Sequence, residues 1–176
     1  MVEGLTVGLE QHRREGEGSL GVFVLTVSDT RGEATDRGGP VLVEGLTDAG
    51  HRLAGRDWVA DEPERIRSRV LEACGAPEVD AVLVTGGTGL AARDRTPEAL
   101  EPLFDPSIPG FGELFRALSF REIGPAAMLS RACAGVVAGR VVALLPGSPR
   151  ALELAVRELL VPELGHLCAQ ARTRRP

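Results

Sequence analysis

The sequence predicts an α/β fold, a three-layer domain with a largely parallel sheet flanked by helices. Three observations carry this: three short apolar runs rich in β-branched residues, each ending in small, polar or glycine residues; helical spacing between and after them; and a length of 176 residues, which suits one globular domain.

Residues 1–19 mix Gly4, Gly8, Gly16 and Gly18 with the charges of Glu10, Arg13, Arg14, Glu15 and Glu17, so a flexible N-terminal tail is expected before a folded domain at 20–168. Val22-Phe23-Val24-Leu25-Thr26-Val27 then reads as a strand buried on both faces, closed by Ser28-Asp29. The apolar positions of 41–46 fit a helix, as do Ile66, Val70 and Leu71; Asp61 stands where it can cap the latter, with Glu64 as the acid of a capping box. A second buried strand is Ala81-Val82-Leu83-Val84-Thr85, ending in Gly86-Gly87. Thr96-Pro97 reads as an N-cap followed by proline at the first helical position.

Pro106, Pro109, Gly110 and Gly112 mark 105–112 as a loop, leading into a short amphipathic stripe of Phe111, Leu114, Phe115 and Leu118. Region 135–139, followed by Arg140, reads as a turn joining two short strands. The third buried run is Val141-Val142-Ala143-Leu144-Leu145, after which Ser148-Pro149 repeats the cap signature ahead of Leu152, Val156, Leu159 and Leu160. A basic tail is expected at 169–176.

Composition narrows the chemistry. The net charge of -5 argues against a nucleic-acid binder, which needs a dense basic face. The sequence has no Lys, Asn or Tyr, so all basic residues are Arg and neither a P-loop nor a Schiff-base lysine can be built. Cys74, Cys133 and Cys168 are far apart, as are His12, His51 and His166, and none of their spacings is a zinc signature; the odd cysteine count suits a reducing compartment. Without an apolar run of membrane-spanning length or a secretory leader pattern, a cytoplasmic protein is expected.

In such a fold, ligands gather at the carboxyl ends of the strands. Thr85-Gly86-Gly87-Thr88-Gly89 is either a tight strand-to-helix turn or a backbone nest for phosphate. Asp94, between Arg93 and Arg95, is either a magnesium ligand or half of a solvated ion pair, and the helix beginning after Ser148 could also receive an anion. With no nucleophile elbow or argued catalytic pair, the set suits phosphoryl or nucleotidyl transfer by positioning and metal.

The ordered set Thr26-Val27-Ser28-Asp29, Asp61-Glu62, Thr85-Gly86-Gly87-Thr88-Gly89, Arg93-Asp94, Pro109-Gly110-Phe111-Gly112-Glu113, Ser130-Arg131 and Leu145-Pro146-Gly147-Ser148-Pro149 resembles the MoaB/Mog family of molybdenum cofactor biosynthesis, with 118–124 leaning toward its MoaB branch. The resemblance implies a molybdopterin-binding fold, a homotrimer or hexamer, and magnesium-dependent adenylylation of the terminal phosphate of molybdopterin by ATP, with release of pyrophosphate. It further implies that Gly86, Gly87, Thr88 and Gly89 cradle phosphate or pterin, and that Asp61 and Asp94 are the catalytic or magnesium-organising acids. Ser28, Asp29, Ser130, Arg131, Pro146, Gly147 and Ser148 would belong to the same substrate pocket, with Arg93, Arg95 and Arg131 as charge partners. Handover of product to a molybdate-inserting enzyme is one implied partnership. A non-catalytic relative that binds molybdopterin or a nucleotide is the alternative.

Overall fold

Residues 18–30 and 32–173 are described by a computed structural model of the chain. The expected N-terminal tail therefore lies outside the described residues except for Gly18 and Ser19. In chain order the elements are β1 (Gly21–Val27), α1 (Gly38–Asp48), β2 (Arg52–Val59), α2 (Pro63–Gly75), β3 (Ala81–Thr85), α3 (Thr96–Leu100), α4 (Pro109–Ile123), β4 (Cys133–Val137), β5 (Arg140–Leu145), α5 (Pro149–Ala155) and α6 (Val161–Arg172). Short 3-10 turns follow α3 (Glu101–Leu103) and α4 (Gly124–Leu129).

The sheet order is β2-β1-β3-β5-β4, parallel except for the antiparallel β4–β5 pair. The three apolar runs are thus the three central strands, and every residue of each is buried. Side chains alternate between faces: Val22, Val24, Ala81, Leu83, Val141, Ala143 and Leu145 pack with α1, α4, α5 and α6, while Phe23, Leu25, Val82, Val84, Val142 and Leu144 pack with α2 and α3. This gives the two helical layers of the expected three.

Several local expectations change. β2 has no counterpart in the sequence reading, because as an edge strand carrying Arg52, Arg56 and Asp57 it never forms a continuous apolar run. Helix α4 begins at Pro109, inside the stretch read as loop; proline and glycine are tolerated in a first turn that has no intrahelical N–H partners. Leu71 is exposed while Ile66 and Val70 face the core. The turn between β4 and β5 is shorter than 135–139: Ala138 and Gly139 carry positive φ, and Gly135 pairs within β4. At the other end, α6 runs past 168 to Arg172, burying Ala171 and pairing Arg172 with Asp80 at 2.9 Å, so 169–172 are helix where a basic tail was expected.

A π turn (Val156–Leu160) joins α5 to α6. Pro162 has no N–H to continue the i→i−4 ladder, and the preceding N–H, on Val161, reaches back to Val156 instead. Among the described residues no helix is long and apolar enough to cross a membrane.

Candidate active site

Four strands deliver their carboxyl ends to one cavity of about 550 Å³. β1 ends in Ser28 and Asp29, which line it; β2 is followed by Asp61, also in the wall. β3 runs into Gly86, Gly87, Thr88 and Gly89, and the same loop brings Arg93 and Asp94 to the rim. β5 contributes Pro146, Gly147 and Ser148, and Ser130 closes the ring from the segment before β4.

The opposite wall was not anticipated as part of a site. It comes from α4 and its 3-10 turn, with Phe115, Ser119, Ile123 and Leu129. The cavity therefore has a polar floor and an apolar side. The stripe of Phe111, Leu114, Phe115 and Leu118 signalled an amphipathic helix but carried nothing to place it over the strand ends.

The acids are coupled to one another through the backbone. The Asp61 N–H donates to Asp29 Oδ1 at 2.9 Å, and Asp61 Oδ1 accepts the Arg95 N–H at 3.1 Å. Asp94 Oδ2 accepts the Ala91 N–H at 3.2 Å. Burial, followed by the negative charges of Asp94 and Asp29, pushes the Asp61 carboxyl above its usual range despite the Arg95 N–H and the nearby Arg93 charge.

Two glycines make this crowding feasible. A Cβ at Gly87, where φ is +60°, would lie 2.7 Å from Asp61 Oδ2 and would overlap Thr96 Oγ1. A Cβ at Gly89 would collide with the carboxylate of Asp94.

Capping explains less here than the sequence suggested. Asp61 does not cap α2: the N-cap position is Glu62, without a side-chain bond, and Glu64 pairs with Arg67 at 2.9 Å instead of closing a box. Thr96 is the first residue of α3 and is fully buried; its hydroxyl donates to the Gly86 carbonyl at 3.0 Å. Ser148 does cap, accepting the Ala151 N–H at 3.3 Å ahead of Pro149.

Arg131 departs from the expected pocket set. It lies behind the glycine loop, where Nε donates to the Thr88 carbonyl at 3.2 Å and Nη1 pairs with Glu98 at 2.5 Å. Arg95 is exposed and likewise not in the cavity wall.

The carboxylates and glycine loop fit magnesium. A bare phosphate placed among Asp29, Asp61 and Asp94 would be repelled, whereas Mg²⁺ takes one or two carboxylates and fills its shell with water and phosphate oxygens. Among the described residues no group of three His, Cys, Asp or Glu side chains could hold a metal by itself, so an ion suited to this site would share its ligands with a phosphate.

The family described as "Probable molybdopterin binding domain" matches residues 23–166. The chain is 44% identical over 167 residues to a Bacillus subtilis protein named Molybdenum cofactor biosynthesis protein B, covering 94% of this chain and 98% of the relative. A crystal structure of a protein of that same name superposes with a TM-score of 0.86 at 44% identity, covering 89% of this chain and 98% of the other. The tungsten cofactor synthesizing protein MoaB from Pyrococcus furiosus superposes with a TM-score of 0.80 at 37% identity, covering 88% and 98%.

Proposed function

Because the chain belongs to the family of probable molybdopterin binding domains, within its MoaB group, we propose that it acts in molybdenum cofactor biosynthesis by adenylylating the terminal phosphate of molybdopterin with Mg-ATP. The observation that carries this reading is the meeting of Asp61 and Asp94 with a glycine loop at the mouth of one cavity that also has an apolar wall.

The terminal phosphate of molybdopterin attacks the α-phosphorus of ATP through an oxygen; a P–O bond forms there as the bond to the bridging oxygen breaks and pyrophosphate leaves. No covalent intermediate on the protein is needed. Backbone N–H groups of the loop 86–89 bind phosphate oxygens, and Asp61 and Asp94 would be the residues that hold a magnesium ion beside them. Magnesium, when bound, supplies charge neutralisation between the two anionic substrates. The flat ring of pterin or adenine packs on the Phe115, Ile123 and Leu129 side, and Arg93 at the rim offsets part of the phosphate charge.

Product passes to a molybdate-inserting enzyme in this account, and the chain works in the cytoplasm. Supplying ATP labelled at the α-phosphorus tests the chemistry: the label should move onto molybdopterin, while label in the γ position should not. Binding of molybdopterin without any transfer would instead favour the non-catalytic reading.

A further inference from the structure

Every carbonyl of the glycine loop from 86 to 89 is held from one side. The Thr96 hydroxyl takes Gly86 O and the Thr96 N–H takes Gly87 O, both at 3.0 Å. Arg131 continues the series, with Nε on Thr88 O at 3.2 Å and Nη2 on Gly89 O at 2.7 Å. The same Nη2 also reaches Asp94 O at 2.6 Å.

In a trans peptide the C=O and the following N–H point in opposite directions, and the cis bond found among the described residues is elsewhere, at Asp105–Pro106. Fixing the carbonyls of Thr88 and Gly89 toward Arg131 therefore fixes the N–H groups of Gly89 and Leu90 away from it. Thr88, Gly89 and Asp94 line the main cavity, whereas Arg131 lines a separate depression behind the loop. Peptide 94–95 shows the arrangement with both sides engaged: Arg131 holds the Asp94 carbonyl, and on the other side the Arg95 N–H donates to Asp61 Oδ1.

We propose that Arg131 is a positioning residue of the site: it holds the carbonyls of Thr88, Gly89 and Asp94 from behind, so that the N–H groups of Gly89 and Leu90 present to a phosphate oxyanion and that of Arg95 to Asp61. The inference rests on the phosphate-binding reading of the loop given above. Arginine suits the task because its rigid fork of donors reaches several carbonyls at once, where a lysine ammonium offers a single nitrogen. Its charge also polarises the peptides it holds, strengthening their N–H groups as donors to an anion. Glu98, paired with Nη1, fixes the guanidinium plane.

The test compares wild type with Arg131→Lys, which keeps the charge and loses the fork. Hydrogen–deuterium exchange at Arg95, whose N–H is bonded to Asp61, should rise about tenfold or more while β1, β3 and β5 keep their protection; the protection that Mg-ATP confers on Gly89 and Leu90 should shrink, and affinity for Mg-ATP should fall by a similar factor. In Arg131→Gly, millimolar guanidinium but not methylammonium should restore both. Exchange and affinity within twofold of wild type would overturn the proposal, as would a loss of protection spread evenly through the central strands. Should Arg131→Lys fail to fold, Glu98→Gln frees one end of the guanidinium and is read in the same way, with smaller changes expected. A wild-type protein that binds no Mg-ATP counts against the proposed function, whereas exchange at Arg95 still decides the role of Arg131.

Discussion

Asp61 fills the space that a side chain on residue 87 would occupy: a Cβ built at Gly87 would lie 2.7 Å from Asp61 Oδ2. A carboxylate has been brought against the backbone of a loop whose shape otherwise favours anions. Asp94 stands in the same relation to Gly89. A phosphate brought to this loop would be repelled by the two carboxylates unless a cation joined them, which is why these pairs are central to the account.

Asp61→Asn and Asp94→Asn should each lower adenylyl transfer on the order of 100-fold or more, the scale of losing one preorganised electrostatic contact. Because Asp61 does not cap α2, the change removes charge without a helix cap being at stake, and Asn can still accept the Arg95 N–H. Steady-state turnover with circular dichroism as a folding control checks this; near-normal turnover in both variants would return the acids to structural roles.

Gly87→Ala meets two obstacles, a positive φ and the Asp61 and Thr96 oxygens. We expect a destabilisation of about 1–3 kcal/mol, read from urea unfolding, together with weakened Mg-ATP binding. A stable variant with unchanged affinity would mean that the loop is not held as described.

Asp36 ties the sheet to α1 and is the clearest pH-dependent element. Its carboxylate accepts from Thr26 Oγ1 at 2.6 Å, Arg56 at 3.0 Å, Trp58 Nε1 at 3.1 Å and the N–H groups of Gly38 and Gly39. Burial opposes its ionisation, yet these bonds outweigh burial and bring its pKa down from 3.8 to about 2. A lowered folded-state pKa stabilises the protein above the unfolded value, and the gain disappears as pH falls from about 4 through about 2. Asp36→Asn should therefore cost about 2 kcal/mol at neutral pH, with the two unfolding curves converging in acid. A constant difference at all pH values would refute the assignment.

Leu114 and Phe120 on α4, with Met128 on the following turn, are exposed apolar side chains on neighbouring segments outside the cavity wall. Surfaces of this kind are commonly covered by a partner. We expect light scattering to give the mass of a homotrimer or hexamer; a monomer mass across working concentrations would contradict this.

The central strands were legible because burial on both faces leaves an unbroken apolar run, and their glycine or polar endings marked the working edge. β2 was not, since it is an edge strand with no fully buried residue and Arg52, Arg56 and Asp57 break its apolar run. The Asp36 network was not legible: beyond the nearby N–H groups of Gly38 and Gly39, its side-chain partners lie 10, 20 and 22 residues away. Thr96 and Arg131 carried correct residue types in readable motifs, but their partners are carbonyls of a loop fixed only by tertiary folding. Twelve of the thirteen expected site residues line the cavity, and the thirteenth, Arg131, sits behind the glycine loop on the Gly89 carbonyl.

The most direct test of the central claim is pyrophosphate release by the purified protein given authentic molybdopterin and ATP, with and without magnesium. The account predicts one pyrophosphate per adenylylated molybdopterin, formed only when both substrates and the metal are present and abolished by chelation. Tight molybdopterin binding with pyrophosphate no higher than in the absence of protein would contradict it.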